Sequence, residues 1–304
     1  MNATLTRLTA TPVRRHMLGA VIGLVVIVLA LESLSTFRQS QLTSVAYLAI
    51  AAGGLTVLTG LSGQLSLGHG AFMAVGAYTA ALMLRANDSG WSVPLVLLAA
   101  TVISAVVGVV VGVAAARLHG PYLAGATLAL AVAVPGLALY FSDYLGGEQG
   151  LVVPAPKVPE LIDDMMFFVT GNELSGTKFV AYVSWILLVL VFFLLANVSS
   201  SRIGRRWRAV RDDEVAAELS GIDLGRARIL AFVVSAACAG AGGAVLAMSA
   251  RIAAPSGFTL TLSLTLLSAV VIGGLGTLSG ALIGAVLLTY IPPVVTNFGL
   301  DLGL

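Results

Sequence analysis

Few side chains in this 304-residue sequence could do chemistry, and three of them share one glycine-rich stretch. Residues 60–78 read GLSGQLSLGHGAFMAVGAY and place Gln64, Ser66 and His69 among five glycines. An amide, a hydroxyl and an imidazole can bind a polar solute, or they can form hydrogen bonds to a neighbouring helix. The stretch therefore predicts either a solute path or a point where helices are joined.

Other groups that could support catalysis or hold a metal are scarce. The single cysteine, Cys238, lies in an apolar context and is expected to be a packing residue, because one cysteine forms neither an intrachain disulfide nor a cysteine-based zinc site. His16 and His119 have no cysteine or acidic cluster beside them. The ATP-binding pattern G-x-x-x-x-G-K-[ST] does not occur in the sequence. We expect no catalytic residue, no metal site and no cofactor in this chain.

The composition indicates a membrane protein. Hydrophobic residues make up 58% of the chain and charged residues 10%, whereas soluble domains have about 25% charged residues. The net charge of +2 gives no indication of a nucleic-acid partner. We therefore expect the protein to work within the lipid bilayer, and we count the bilayer among its partners.

The apolar runs predict an all-α integral membrane protein, a polytopic bundle of about 8–10 transmembrane helices in a single domain over 1–304. A cleaved signal peptide is the rival interpretation of the first run, but many spans follow it. The last two runs are separated only by GGLGTLSG (273–280), so one of them could be a re-entrant hairpin. The predicted spans are 17–34, 42–61, 66–84, 93–116, 121–142, 179–198, 227–250, 260–276 and 278–296.

Charge in the loops predicts the orientation. The basic N-terminal segment 1–16 and the arginine-rich loop 199–226 fall on one side, which we expect to be cytoplasmic. The acidic loop 143–178 falls on the other side, where Glu148 and Asp163–Asp164 could form ion pairs with a docking protein, or could simply be solvated. The expected location is a bacterial-type inner membrane with multiple spans and a cytoplasmic N-terminus.

The loop 199–226 also predicts a short helix over 213–220. Asp213 can cap its N-terminus, Glu214 suits the positive end of the helix dipole, and Gly221 fits the left-handed position after its end. The small residues Ala216 and Ala217 would let another protein approach closely. An ordinary solvated loop is the alternative to a docking helix.

Two structures would satisfy the polar groups of 60–78, since an unpaired polar group in hydrocarbon costs several kcal/mol. In the first, the helix breaks near 62–70 and lines a translocation path. In the second, Gln64 and His69 join helices whose glycines allow close packing. The candidate path residues are Gln64, Ser66, His69, Tyr78, Tyr122 and Thr127.

The loop sequence RRWRAVRDDEVAAELSGID (205–223) resembles the coupling loop of ABC importer permeases, specifically the high-affinity branched-chain amino acid type. Val215 stands where the broader motif has glutamate. Four further stretches are similar to the same family in the same order, and together they favour the second of its two dissimilar permease subunits. These stretches are 60–83, 117–131, 146–151 (where Leu145 replaces a threonine) and 271–288.

The resemblance implies a permease subunit without chemistry of its own, for leucine, isoleucine or valine. Related permeases carry urea, short amides or other amino acids. The implied partners are a second homologous permease subunit, two cytoplasmic ATPase subunits that bind ATP and Mg²⁺, and an extracytoplasmic solute-binding protein. The implied ATPase-coupling residues are Arg208, Arg211, Asp213, Glu214, Ala216, Ala217 and Gly221.

Two other function classes remain as alternatives. An ion-coupled secondary transporter would need buried carboxylates or matching broken helices, but Glu32 is the only plausible intramembrane acid and is expected to reach outward from the first span. A membrane enzyme would need clustered histidines or acids at a membrane face, where 212–214 is the only acidic cluster.

Overall fold

The computed structural model describes residues 12–85, 92–118, 120–159, 163–164 and 174–301. Most of the basic N-terminal segment, His119 and part of the acidic loop 143–178 lie outside the described residues.

Nearly all regular structure in the described residues is α-helical, as the composition predicts. A π-helical turn, Thr56–Leu61, continues the second helix, and 3₁₀ turns occur at Gly147–Gln149 and Pro255–Phe258. The helices are α1 (Pro12–Ser33), α2 (Thr36–Leu55), α3 (His69–Arg85), α4 (Val93–Ala115), α5 (Pro121–Tyr140), α6 (Ser142–Leu145), α7 (Gly176–Ser200), α8 (Arg202–Asp212), α9 (Glu214–Leu219), α10 (Leu224–Ala250), α11 (Leu260–Gly273) and α12 (Leu278–Asp301).

Seven helical stretches of the described chain are long and apolar enough to cross a membrane. They comprise α1 from His16 onward, α2 with its π turn, α4, α5, α7, α10, and α11 with the 3₁₀ turn before it. Two shorter apolar helices, α3 with 17 residues and the Leu278–Val294 part of α12, correspond to the remaining predicted spans. The predicted all-α polytopic membrane fold is confirmed.

Contacts between helix termini show which termini lie together at each of the two ends of the bundle. At the first, which we call the α8–α9 end, Arg211 Nη1 lies 2.7 Å from the Gly60 carbonyl oxygen and Arg228 Nη1 lies 3.3 Å from that of Ala116. At the other, the strand end, the two-residue strands β1 (Leu151–Val152) and β2 (Ile252–Ala253) pair antiparallel. Successive long helices therefore run between the two ends in alternating directions.

The centre of the bundle is α10, which packs against α2, α3 and α4. A Cβ atom added to Gly76 of α3 would lie 2.0 Å from the Gly240 carbonyl oxygen of α10, and one added to Gly243 would lie 1.9 Å from that of Met73. The two backbones are therefore in direct contact, which is how glycine contributes to helix packing in membranes. The Ser104 hydroxyl of α4 donates to the Ala236 carbonyl of α10 at 2.8 Å, so α4 is also joined to α10.

The first helix lies against α7 and is fastened by polar contacts near both of its ends. His16 Nδ1 lies 3.2 Å from Asn197 Oδ1 near the α8–α9 end. Near the strand end, Glu32 forms an ion pair with Lys178 at 2.8 Å and accepts a hydrogen bond from the Tyr182 hydroxyl. Glu32 was expected to reach outward, but Lys178 supplies the opposite charge within the protein.

Candidate functional site: a broken span and its helical connector

The second span unwinds instead of continuing as a helix. It ends in the π turn Thr56–Leu61, the segment Ser62–Gly68 is not helical, and α3 begins at His69. Gly63 adopts a φ of +73°, which side-chain-bearing residues rarely reach. We call Ser62–Gly68 the break. The helix break expected in the first of the two structures is present, and His69 also contacts a neighbouring helix as expected in the second.

The break lies inside the bundle. The His69 Nε2–H donates to the Ala51 carbonyl at 3.1 Å, and Ala51 lies ten residues before Leu61 on the preceding helix. Ten helical residues rise about 15 Å. The chain therefore turns back alongside its own preceding helix between Ser62 and Gly68 without forming a helix.

Burial alternates from one residue to the next along the break. Gln64 and Ser66 are buried, whereas Gly63 and Leu65 are exposed, and Leu65 is 52% exposed. The polar side chains thus face the interior of this chain, and the small and apolar side chains face outward. We call the outward side, at Gly63, Leu65 and Leu67, the open edge.

Hydrogen bonds hold the buried side of the break. Gln64 Nε2 donates to the Ser62 hydroxyl at 2.7 Å, and the Leu67 N–H donates to the Thr127 hydroxyl of α5 at 3.0 Å. Gln64 Oε1 and His69 Nδ1 are buried without a hydrogen-bond partner among the described residues. These side chains join the helices around the break and leave two polar atoms inside it unused.

The open edge leaves backbone groups unpaired. Within the described part of the chain, the N–H groups of Gly63 and Leu65 donate no hydrogen bond. Irregular backbone at membrane depth is tolerated only where protein or a water-filled cavity covers it. The open edge therefore cannot face lipid.

The remaining predicted path residues lie at different places. Thr127 is buried beside the break, and Ser66 Oγ accepts a hydrogen bond from the Gly68 N–H at 3.4 Å. Tyr78 is buried farther along α3, with a tilted ring contact to Phe258, whereas Tyr122 is 77% exposed on α5. The structure thus brings Gln64, Ser66, His69 and Thr127 together and leaves both tyrosines apart from them.

The connector between α7 and α10 contains the predicted capped helix. Asp213 Oδ1 accepts hydrogen bonds from the Val215 and Ala216 N–H groups at 2.9 and 3.0 Å, which caps α9. Gly221 adopts a φ of +80° after the last turn. Its N–H bonds to the Glu218 carbonyl, and the Ile222 N–H bonds to that of Ala217, which is the Schellman pattern of helix termination.

The outward face of α9 differs from the one its alanines suggest. Ala217 is buried against this chain, whereas Ala216 is exposed. Val215 is 67% exposed and Leu219 is 85% exposed, and four residues apart they lie on the same face of the helix. Sequence reasoning did not single out this apolar pair, although its spacing within a charged loop was a readable signal.

Two contacts fasten the connector to the central helix α10. The Trp207 Nε1–H donates to the Ala227 carbonyl at 2.9 Å, and its ring is fully buried. Glu214 pairs with the buried Arg228 side chain at 2.6 Å. An ion pair therefore links the start of α9 to α10.

Arginines attach α8 to two other helices. Arg208 Nη1 donates to the Ser199 carbonyl at the end of α7, at 3.1 Å. Arg211 Nη1 donates to the Gly60 carbonyl just before the break, at 2.7 Å. The connector thus touches both the central helix and the broken span.

The chain is a polytopic helical membrane protein with a broken span and an exposed helical connector, and comparison with known proteins gives its family. Residues 37–300 match the family described as the permease component of branched-chain amino acid transport systems. The chain belongs to this family.

Individual relatives carry the same description. The chain is 33% identical over 258 residues to the high-affinity branched-chain amino acid permease protein LivM of Salmonella typhimurium, a match that covers 81% of this chain and 60% of LivM. It is 28% identical to BraD of Pseudomonas aeruginosa, covering 83% of this chain and 82% of BraD. It is also 28% identical to LivH of Escherichia coli, covering 79% of each. This chain thus spans about 60% of the length of LivM. No solved structure gives a significant match.

Proposed function

We propose that this chain is the transmembrane permease subunit of an ATP-driven importer for branched-chain amino acids, in which separate ATPases drive the opening of a path at the break. The observation that carries the proposal is the exposed, capped helix α9, which is paired with the central helix and follows directly on α8, the helix that contacts the broken span. The matched relatives are named for branched-chain amino acid transport, which supports leucine, isoleucine or valine as the solute.

The docking surface for the ATPase is the apolar pair of α9. Val215 and Leu219 project from a segment rich in charge, and apolar side chains exposed at such a place are typical of a protein interface. Two cytoplasmic ATPases bind ATP and Mg²⁺, so the α8–α9 end faces the cytoplasm. An N-terminus on that side of a bacterial inner membrane agrees with the positive-inside distribution.

The open edge of the break borders the translocation path. Its unpaired backbone requires a cover of protein or water, and a second permease subunit with a solute path between the two subunits supplies both. The buried side of the break supports this edge through four polar side chains, Gln64, Ser66, His69 and Thr127. Identity of 33% to LivM against 28% to LivH supports a LivM-like subunit paired with a LivH-like one.

An extracytoplasmic solute-binding protein delivers the solute to the strand end. There the segment after α5 is fastened to the end of α10 through the β1–β2 pair. A path bordered by backbone and apolar side chains suits a small solute that is neutral overall. The same importer type for urea or short amides is the second candidate, since nothing at the open edge is specific for an aliphatic side chain.

Co-purification tests the docking surface. We expect Val215→Glu combined with Leu219→Glu to abolish recovery of the ATPase with this chain, because two carboxylates in an apolar contact cost several kcal/mol. Val152→Glu is the matched control, since Val152 is 71% exposed at the strand end and should retain the ATPase. Normal ATPase recovery with the double variant would contradict docking through α9.

A further inference from the structure

Arg211 joins the connector to the end of the broken span. Its Nη1 atom donates to the Gly60 carbonyl at 2.7 Å. Gly60 lies in the π turn that ends the second span, where helix carbonyls lose their partners within the helix. Arg211 thus supplies the hydrogen bond that the unwinding of the span removes.

The arginine is fixed in this position from two sides. Its Nε and Nη2 atoms both donate to Asp212 Oδ1, at 3.0 and 2.8 Å, which orients the guanidinium group toward Gly60. Its aliphatic part packs against the break, because a Cβ atom added to Gly63 would lie 2.9 Å from Arg211 Cγ. The side chain therefore contacts the span on both sides of the point where the helix ends.

A third element meets the same point. A Cβ atom added to Gly60 would lie 2.4 Å from the Gly276 backbone nitrogen, in the turn between α11 and α12. The end of the second span is thus held between Arg211 on one side and this turn on the other.

We propose that Arg211 is the positioning residue that transmits movement of the docked α9 helix to the break, by holding the Gly60 carbonyl. This inference rests on the proposed function. Arg211 lies two residues before the Asp213 cap, so the last turn of α8 and the start of α9 move together. A shift of α9 toward or away from the bundle then displaces the end of the second span and changes the shape of the open edge.

The test uses the complete complex of both permease subunits, the ATPases and the binding protein in vesicles. Arg211→Gln should lower leucine uptake about tenfold while ATP hydrolysis stays within about twofold of the wild type, because the two sites are uncoupled. Arg211→Lys should give an intermediate loss, since lysine keeps the charge but lacks the planar fork. The control is Arg205→Gln, because Arg205 lies on the same helix and donates to the Ser200 carbonyl at 3.2 Å, away from the break.

A distance measurement gives a readout that a purely structural role would not affect. Spin labels at Leu65→Cys and Val152→Cys, in a Cys238→Ala background, should report a distance change between nucleotide-free and ATP-trapped complexes. Arg211→Gln should abolish this change, and Arg205→Gln should retain it.

Three results would overturn the inference: equal losses of uptake and hydrolysis with Arg211→Gln, wild-type uptake with that variant, or an unchanged distance shift. Failure of the proposed function itself is distinguishable from all three. In that case the wild-type complex would neither take up solute nor retain the ATPase, whatever residue stands at 211.

Discussion

His69 and Leu65 lie four residues apart and have opposite surroundings. His69 is fully buried and donates to the Ala51 carbonyl, whereas Leu65 projects from the open edge. Polar side chains therefore hold the break from inside the chain. The open edge itself consists mainly of backbone and leucine side chains.

This division predicts different effects for two substitutions. His69→Ala should lower the free energy of unfolding of the chain in detergent by about 1–3 kcal/mol, because the Ala51 carbonyl loses its buried donor. Uptake should fall together with stability. Leu65→Trp should leave stability unchanged and reduce uptake by obstructing the open edge. Thermal unfolding and vesicle uptake measure the two effects. A stable but inactive His69→Ala, together with an active Leu65→Trp, would show that the histidine side faces the path.

The sequence predicted some residue roles and not others for a physical reason. The Asp213 cap and the Gly221 turn depend on local backbone chemistry, and both are present. The direction of Gln64 depends on the path of the chain through the break, where burial alternates from one residue to the next and no periodic pattern fixes it. The nearby Arg211–Gly60 contact joins residues 151 positions apart, so no local pattern could indicate it.

At the scale of helices, glycine contacts replace the hydrophobic effect that drives packing in water. Membrane helices associate through close van der Waals contact, and α10 achieves it where glycine backbones meet α3. The same glycines would be unfavourable in an isolated helix by about 1 kcal/mol each relative to alanine.

A matched pair of glycine substitutions should separate the effect of close helix packing from the low intrinsic helix preference of glycine. Gly76→Ala should destabilise the chain by about 1–3 kcal/mol, because its new methyl group would lie 2.0 Å from the Gly240 carbonyl oxygen. Gly125→Ala on α5 should be neutral or stabilising, since nothing lies within 4 Å of the added atom. Thermal unfolding of the purified chain in detergent compares them. Equal stabilities of the two variants would mean that α3 and α10 do not pack through these glycines.

The spans were predictable because each apolar run is near the ~20 residues that a bilayer requires. The helix α8 was not predicted, because its many arginines suggested a basic loop. Its apolar residues Ile203, Trp207 and Val210 fall at helical spacing, and the latter two are buried against the rest of the chain. The segment is therefore an amphipathic helix, although its high charge is also typical of a solvated loop.

At the scale of the whole molecule, α1 is set apart from the other helices. The family match begins at residue 37, after this helix, and α1 packs against α7. The central helix α10, the three helices α2, α3 and α4 packed against it, the break and the connector all follow α1 in the chain. The parts required for the proposed transport cycle thus lie within the matched region.

The account predicts that this protein moves solute only when another protein hydrolyses ATP. Radiolabelled leucine accumulation in vesicles tests this most directly, with the complete complex compared with the same complex lacking the ATPases. We expect uphill accumulation that requires ATP in the complete complex and none without the ATPases. Uphill accumulation by this chain without an ATPase, driven by an ion gradient alone, would contradict the account.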